Sequence, residues 1–200
     1  GVSVMQCRKA LEEAEGDMQK AIMILKKKSS EIAAKKSDRE AKDGIIVVKK
    51  NETKAIAVIL NCETDFVSKN QDFIDLANTI ADKALSDGVE SAKTAAADMI
   101  NPVLQKIGEN IQLGDIKEII GENLGIYIHN GKSGVITTLT GGTPELAKDV
   151  AMHIAAMKPA YMKIDDVPAD ARAMATDMFA KEVAASDKPE EIKQKMLQGK

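Results

Sequence analysis

Two hundred residues, 44% of them hydrophobic, are enough to bury the core of one or two domains. A formal net charge of -3, with Lys and Arg interspersed among Asp and Glu, supplies no basic field to hold nucleic acid, so direct DNA or RNA binding is disfavoured. No apolar run approaches the ~18–20 residues that cross a bilayer, so no membrane partner is expected. The two cysteines, Cys7 and Cys62, are far apart, point to neither a disulfide framework nor a metal knuckle, and suit a reducing compartment.

The chain opens with two short helical patterns, Met5 to Glu15 and Asp17 to Lys28, around Gly16. Asp17 is the expected N-cap, and Gly16 supplies the turn. Such a pair cannot enclose a core alone, so residues 1–28 read as a three-helix module whose first helix is missing. The pattern Cys7-x-x-Ala10-Leu11, Gly16-Asp17, Ala21-Ile22 and Leu25 resembles ubiquitin-associated-type bundles. Residues 29–43 carry Lys35, Lys36, Asp38, Arg39, Glu40 and Lys42 with few large apolar side chains, and read as a solvated, partly helical linker.

From Gly44 the period becomes that of strands. Ile45 to Val48 and Ala55 to Leu60 form a hairpin, with Asn51 in its turn. The corner Asn61 to Asn70 follows, then a helix from Asp72 whose stripe is Phe73, Ala77, Ile80 and Ala84, capped by Asn70. Only five residues of the chain are Phe or Tyr, and Phe66 occupies this polar corner. Two roles stand open: an inward plug closing the end of the core, or a projecting wedge aimed at a partner.

Ser91 to Lys106 is Ala-rich and helical, with an end or kink expected at Asn101-Pro102. Ile107 to Asn110 is a second polar corner, and Ile111 to Ile120 a short strand and bridge. Gly125 to Ile128, the turn Asn130 to Gly134, Val135 to Leu139, the corner Thr140 to Thr143 and a helix from Pro144 to Met157 repeat the order seen after Gly44. Pro144 fits the first helical turn, with Thr143 as cap. An internal duplication follows, giving core subdomains at 44–106 and 107–164. The second corner holds no aromatic, so closing a helix onto a hairpin does not require Phe66. Residues 165–200 read as a helical hairpin opened by Asp165 to Pro168 and turned at Lys188-Pro189-Glu190. Both chain ends look cut: Gly1 replaces an initiator Met, and the last helix stops at Gly199-Lys200.

The chemistry of an enzyme is missing from this inventory. His129 lies beside the turn Asn130-Gly131, whereas His153 sits in an apolar helical run and reads as structural. Neither has partners at zinc-site spacing, and no GxxxxGK[ST] or GxGxxG loop occurs. A protein-binding role is the stronger class.

The run Asn61-Cys62-Glu63-Thr64-Asp65-Phe66-Val67-Ser68-Lys69 closely resembles the signature of the elongation factor Ts family, guanine-nucleotide exchange factors of elongation factor Tu. Met5 to Leu11, Lys106 to Ile111 and Ala151 to Pro159 agree with it. The resemblance implies an α+β fold: a ubiquitin-associated-like N-terminal module, two related subdomains and a coiled-coil hairpin. It implies that Asp65 and Phe66, flanked by Thr64 and Val67, insert between helices of the partner's GTPase domain and disturb its Mg²⁺ site. Further contacts are implied at Met5, Arg8, Lys36, Ile107, Gly108 and His129. No cofactor of its own is expected, since such a factor acts on GDP and Mg²⁺ held by its partner, without covalent chemistry; the expected place is a bacterial-type cytoplasm, with an organelle as the open alternative because the N-terminus looks incomplete. The alternative is a ubiquitin-associated-type adaptor lacking exchange activity.

Overall fold

The computed structural model describes residues 2–186 and 189–198, and the chain divides into two compact units, 1–157 and 158–200. The sequence positions Gly1, Lys188, Gly199 and Lys200 discussed above lie outside the described residues.

In the first unit, α1 (Val4–Glu13) starts with a capping box. The Ser3 hydroxyl accepts from the Gln6 N–H, and the Gln6 side chain takes the Ser3 N–H in return. Asp17 caps α2 (Met18–Lys36) as expected, accepting from the N–H groups of Gln19 and Lys20. Glu15 and Gly16 both have positive φ, which turns the chain sharply enough for Ala10, Ala14 and Ala21 to form a small core.

The linker expected at 29–43 is corrected, because α2 continues to Lys36. Ser29 is buried and donates to the Gln105 side chain (2.7 Å) and the Asn101 carbonyl, while Ile32 and Ala33 pack on the main core. Of the charges expected there, Lys35 and Lys36 close the last turn of α2, and Asp38, Arg39, Glu40 and Lys42 follow on the short connection to β1.

The main core is a three-stranded antiparallel sheet of β1 (Asp43–Lys50), β2 (Lys54–Cys62) and β3 (Ile111–Ile120), with β2 central. Asn51 closes the β1–β2 turn, its side chain accepting from the N–H groups of Thr53 and Lys54. Alternate residues of β2, namely Ile56, Val58, Leu60 and Cys62, are fully buried on one face. Between Ile59 and Leu60 the register against β3 shifts. After a single turn, α3 (Asp65–Ser68), the helices α4 (Gln71–Asp87) and α5 (Val89–Ile107) complete the core. Phe73, Ala77, Ile80 and Ala84 of α4 are all fully buried. The helix does not end at Pro102, since α5 runs through it. Ile100 and Leu104 are both buried on either side, and two such side chains, at ~1.5–3 kcal/mol each, offset the ~3 kcal/mol cost of an internal proline.

The boundary expected at 106/107 is also corrected. β3 pairs with β2, and Ile111 and Ile116 are buried in the same core as α4 and α5. The remaining second half is smaller: β4 (Leu124–His129) and β5 (Ser133–Thr138) form a two-stranded sheet covered by α6 (Pro144–Met157). Gly125 lets β4 touch α6, because a Cβ there would lie 2.1 Å from the Ala147 carbonyl carbon. Its expected counterpart Gly44 is crowded by the Leu60 carbonyl of β2, so the two glycines serve different contacts.

The second unit holds a 3-10 turn at Ile164–Asp166, then α7 (Ala169–Ala184) and α8 (Glu190–Gln198), joined as a helical hairpin. Val183 is buried in this unit while Met174 and Met178 are exposed. With helices and antiparallel strands in separate runs, the fold class is α+β.

Candidate functional site

The corner after β2 decides between plug and wedge. Thr64 is extended, and α3 allows only one turn before Asn70 restarts the chain as the cap of α4. In that turn Val67 and Ser68 face inward, at 7% and 3% exposure, and Phe66 faces solvent at 82%. Val67 is therefore the plug, and its placement among the partner-contacting residues is corrected: it packs in the core. Asp65 is exposed beside Phe66 and pairs with Lys69 at 2.8 Å, an i,i+4 surface pair. The Ser68 hydroxyl donates to the Asp65 carbonyl (3.0 Å), tightening the turn.

Two corners meet at this end of the sheet. Thr64 donates its N–H and its hydroxyl to the Glu109 carboxylate, at 3.1 and 2.8 Å. In the opposite direction, Asn110 donates its N–H to the Glu63 carboxylate at 2.6 Å. The buried Asn110 side chain also holds the Arg39 carbonyl (2.6 Å), and Arg39 reaches Glu63 at 3.6 Å. Gly108, at φ +90°, ends α5 in the left-handed conformation that glycine adopts without penalty, and its carbonyl accepts from Lys36. Thr64, Asp65, Phe66, Lys36, Ile107 and Gly108 are thus assembled at one end of the three-stranded sheet, with Ile107 half-buried.

The turn after β4 joins the same end. Gly131 accepts from the Ile46 N–H at 2.7 Å, and Lys132 donates to the Asp43 carboxylate, the Gly44 carbonyl (2.8 Å) and the Ser68 hydroxyl (3.1 Å). The Lys132 ammonium holds the Asp43 carboxyl down to about 2, against a partial burial that would raise it. Burial pushes the Cys62 thiol up to about 11, with the carboxylates of Asp43 and Glu109 adding to the effect. His129 is exposed at the edge of this turn, its Nδ1 3.0 Å from the Tyr127 hydroxyl.

Met5 and Arg8 lie on α1, which packs on α2 and belongs to another surface. Met5 is exposed, as are Val4, Met18 and Met23, and Arg8 pairs with Glu12 at 2.7 Å. Sequence reasoning missed Glu63, Glu109, Asn110 and Lys132. Glu63 and Glu109 sit inside quoted motifs, but nothing local announces a contact across more than forty residues.

The sequence profile of the family described as Elongation factor TS matches residues 63–200, beginning inside this corner. The chain belongs to the elongation factor Ts family. Elongation factor Ts of Psychromonas ingrahamii is 41% identical over 211 residues, covering 98% of this chain and 70% of that one. Elongation factor Ts of Psychrobacter sp. (strain PRwf-1) is 40% identical over 209 residues, covering 100% and 72%. That of Hahella chejuensis is 38% identical over 207 residues, covering 100% and 72%. Membership in the elongation factor Ts family gives the protein a translation elongation factor role, of the exchange-factor class. Among the described residues no helix is long and apolar enough to cross a membrane.

Proposed function

We propose that this elongation factor binds elongation factor Tu carrying GDP and promotes GDP release by seating Phe66, with Asp65 beside it, between helices of the partner's GTPase domain. The observation that supports this is the outward Phe66 on a turn whose neighbours Thr64, Val67 and Ser68 are all committed to the fold. Leaving a phenylalanine in water forfeits ~1.5–3 kcal/mol of burial, a loss that a partner can recover on docking.

Exchange requires stronger binding to the nucleotide-free partner than to the loaded one, because equal affinity shifts no equilibrium. Acceleration by ~10³–10⁵ needs about 4–7 kcal/mol of such preference. One phenylalanine cannot supply it alone. Ile107 and Gly108 beside the wedge, Lys36 behind them, His129 in the adjoining turn, and Met5 and Arg8 on α1 are assigned the remainder. The wedge acts on the Mg²⁺ and phosphate site of the partner, and Mg²⁺ tolerates little displacement from octahedral geometry. The protein itself contributes no cofactor, and its place of action is the cytoplasm, with translation.

Release of a fluorescent GDP from loaded elongation factor Tu tests the proposal by stopped flow. Phe66→Ala is expected to abolish most of the stimulation, and full stimulation by that variant overturns the wedge. The large apolar side chains that α1 and α2 leave exposed, Val4 and Met5 on one and Met18 and Met23 on the other, favour a second reading, in which the α1–α2 module is an adaptor. Complex formation with purified elongation factor Tu that added GDP does not dissociate would favour the adaptor, whereas reciprocal expulsion by GDP supports exchange.

A further inference from the structure

Lys132 joins the turn of the second sheet to the wedge turn itself. Its ammonium has three N–H groups, and three acceptors surround it: the Asp43 carboxylate, the Gly44 carbonyl and the Ser68 hydroxyl. The connection does not stop at Ser68. That hydroxyl donates in turn to the Asp65 carbonyl at 3.0 Å, so a continuous chain of hydrogen bonds runs from Lys132 into the backbone of the residue preceding Phe66. Ser68 is nearly fully buried, which denies it a water as substitute partner.

At its other end Lys132 is fixed by the turn. Its N–H donates to the His129 carbonyl at 3.0 Å, and Gly131 is fastened to β1 through the Ile46 N–H. From these contacts we infer that Lys132 is a positioning residue. It sets the spacing and angle between the Phe66 turn and the His129 turn, so that both meet one partner surface together. This inference rests on the exchange reading above. Lys132 touches the partner in neither role: it acts through Ser68 on one side and its own turn on the other.

The consequence falls on rate more than on docking. Most of the surface assigned to the encounter, on α1 and at Gly108, does not pass through Lys132. A wedge that docks at the wrong angle loses contacts made only as GDP leaves, which lowers kcat with little change in KM. Fold stability is affected little, because the Lys132 side chain is about half exposed and such ion pairs contribute little.

The test uses the full chain as Lys132→Ala, Lys132→Arg, Phe66→Ala and the Phe66→Ala/Lys132→Ala double variant, with two readouts. Amide hydrogen exchange is expected to quicken about tenfold at residues 64–70 in Lys132→Ala while β2 stays unchanged. Stimulated GDP release from elongation factor Tu is expected to lose about tenfold in kcat, equivalent to about 1.4 kcal/mol, with KM within about twofold. Lys132→Arg restores the pair with Asp43 but not all three bonds, and is expected to recover part of the rate. In the Phe66→Ala background the loss disappears, because there is no wedge left to aim. Unchanged hydrogen exchange at 64–70, an unchanged kcat, or an equal loss with and without Phe66 each overturns the inference. A wild-type chain that stimulates no release overturns the functional reading, and this inference with it. An active wild type indifferent to Lys132 overturns this inference alone.

Discussion

Thr64 gives both its backbone N–H and its hydroxyl to the carboxylate of Glu109, and so the residue preceding the wedge turn is clamped by the corner that ends α5. Two bonds to one charged acceptor are stronger than neutral ones and fix direction as well as distance. Glu109→Ala leaves the half-buried Thr64 N–H without its acceptor. The expected cost is ~1–3 kcal/mol of stability by urea unfolding. The loss in stimulated GDP release should exceed what unfolding explains at a temperature where the variant is fully folded. An unchanged release rate in the folded variant would show that the clamp is only structural.

Phe66 and Phe73 separate function from folding within one short stretch. Phe73 is fully buried in the α4 stripe and Phe66 is mostly exposed. Phe73→Ala should cost ~3–5 kcal/mol through lost burial and the cavity left behind. Phe66→Ala should stay within ~0.5 kcal/mol of the parent, as exposed substitutions do. Equilibrium denaturation of the two variants checks this directly, and a comparable loss for both would return Phe66 to the role of plug.

Much of this arrangement is legible in the sequence because it is periodic or local. The alternation along β2, the Phe73 stripe, and the caps Asp17, Asn70 and Thr143 depend on neighbours within a few residues. What is not legible is long-range. Ser29 makes residues 29–36 a docked helix only because Gln105 and Asn101 stand opposite. Pro102 stays helical because Ile100 and Leu104 are held in the core. β3 could be placed with either half until Ile116 is seen opposite Val58. The family resemblance points to Phe66 as a wedge, but the reciprocal bonds that steady its turn, Thr64 to the Glu109 carboxylate and Asn110 to the Glu63 carboxylate, have no local signature.

The pair of Asp43 and Lys132 gives stability a definite acid dependence. The Asp43 carboxyl titrates near 2 when folded and ~3.9 when unfolded, so its contribution is present above pH ~4 and lost as pH falls toward 2. Asp43→Asn should therefore lower stability at neutral pH by no more than about 1 kcal/mol, the scale of partly exposed pairs. The difference between parent and variant should close between pH ~4 and 2. A difference that is constant across this range would assign the effect to packing.

The two cysteines should differ in reactivity. Cys62 is fully buried, donates to the Thr64 carbonyl at 3.2 Å, and has its thiol pushed up to about 11, so almost no thiolate exists at pH 8. Cys7 is partly exposed on α1. Iodoacetamide at pH 8 should modify Cys7 in the native protein, followed by mass spectrometry, while Cys62 reacts only after denaturant is added. Native labelling of Cys62 at a comparable rate would mean that the corner at Thr64 opens readily.

Gly125 carries the last prediction, because the contact between β4 and α6 leaves no room for a side chain. An added methyl would sit 2.1 Å from the Ala147 carbonyl carbon and 2.4 Å from the Lys148 nitrogen, both backbone atoms that cannot rotate away. The same approach lets Thr137 donate its hydroxyl to the Ala147 carbonyl at 2.7 Å. Gly125→Ala must push α6 off the two-stranded sheet, and overpacking of this kind costs ~1–3 kcal/mol. Loss of hydrogen-exchange protection should be confined to β4, β5 and α6, with the α4 core unchanged. Uniform loss across both would mean that the two sheets unfold as one cooperative unit.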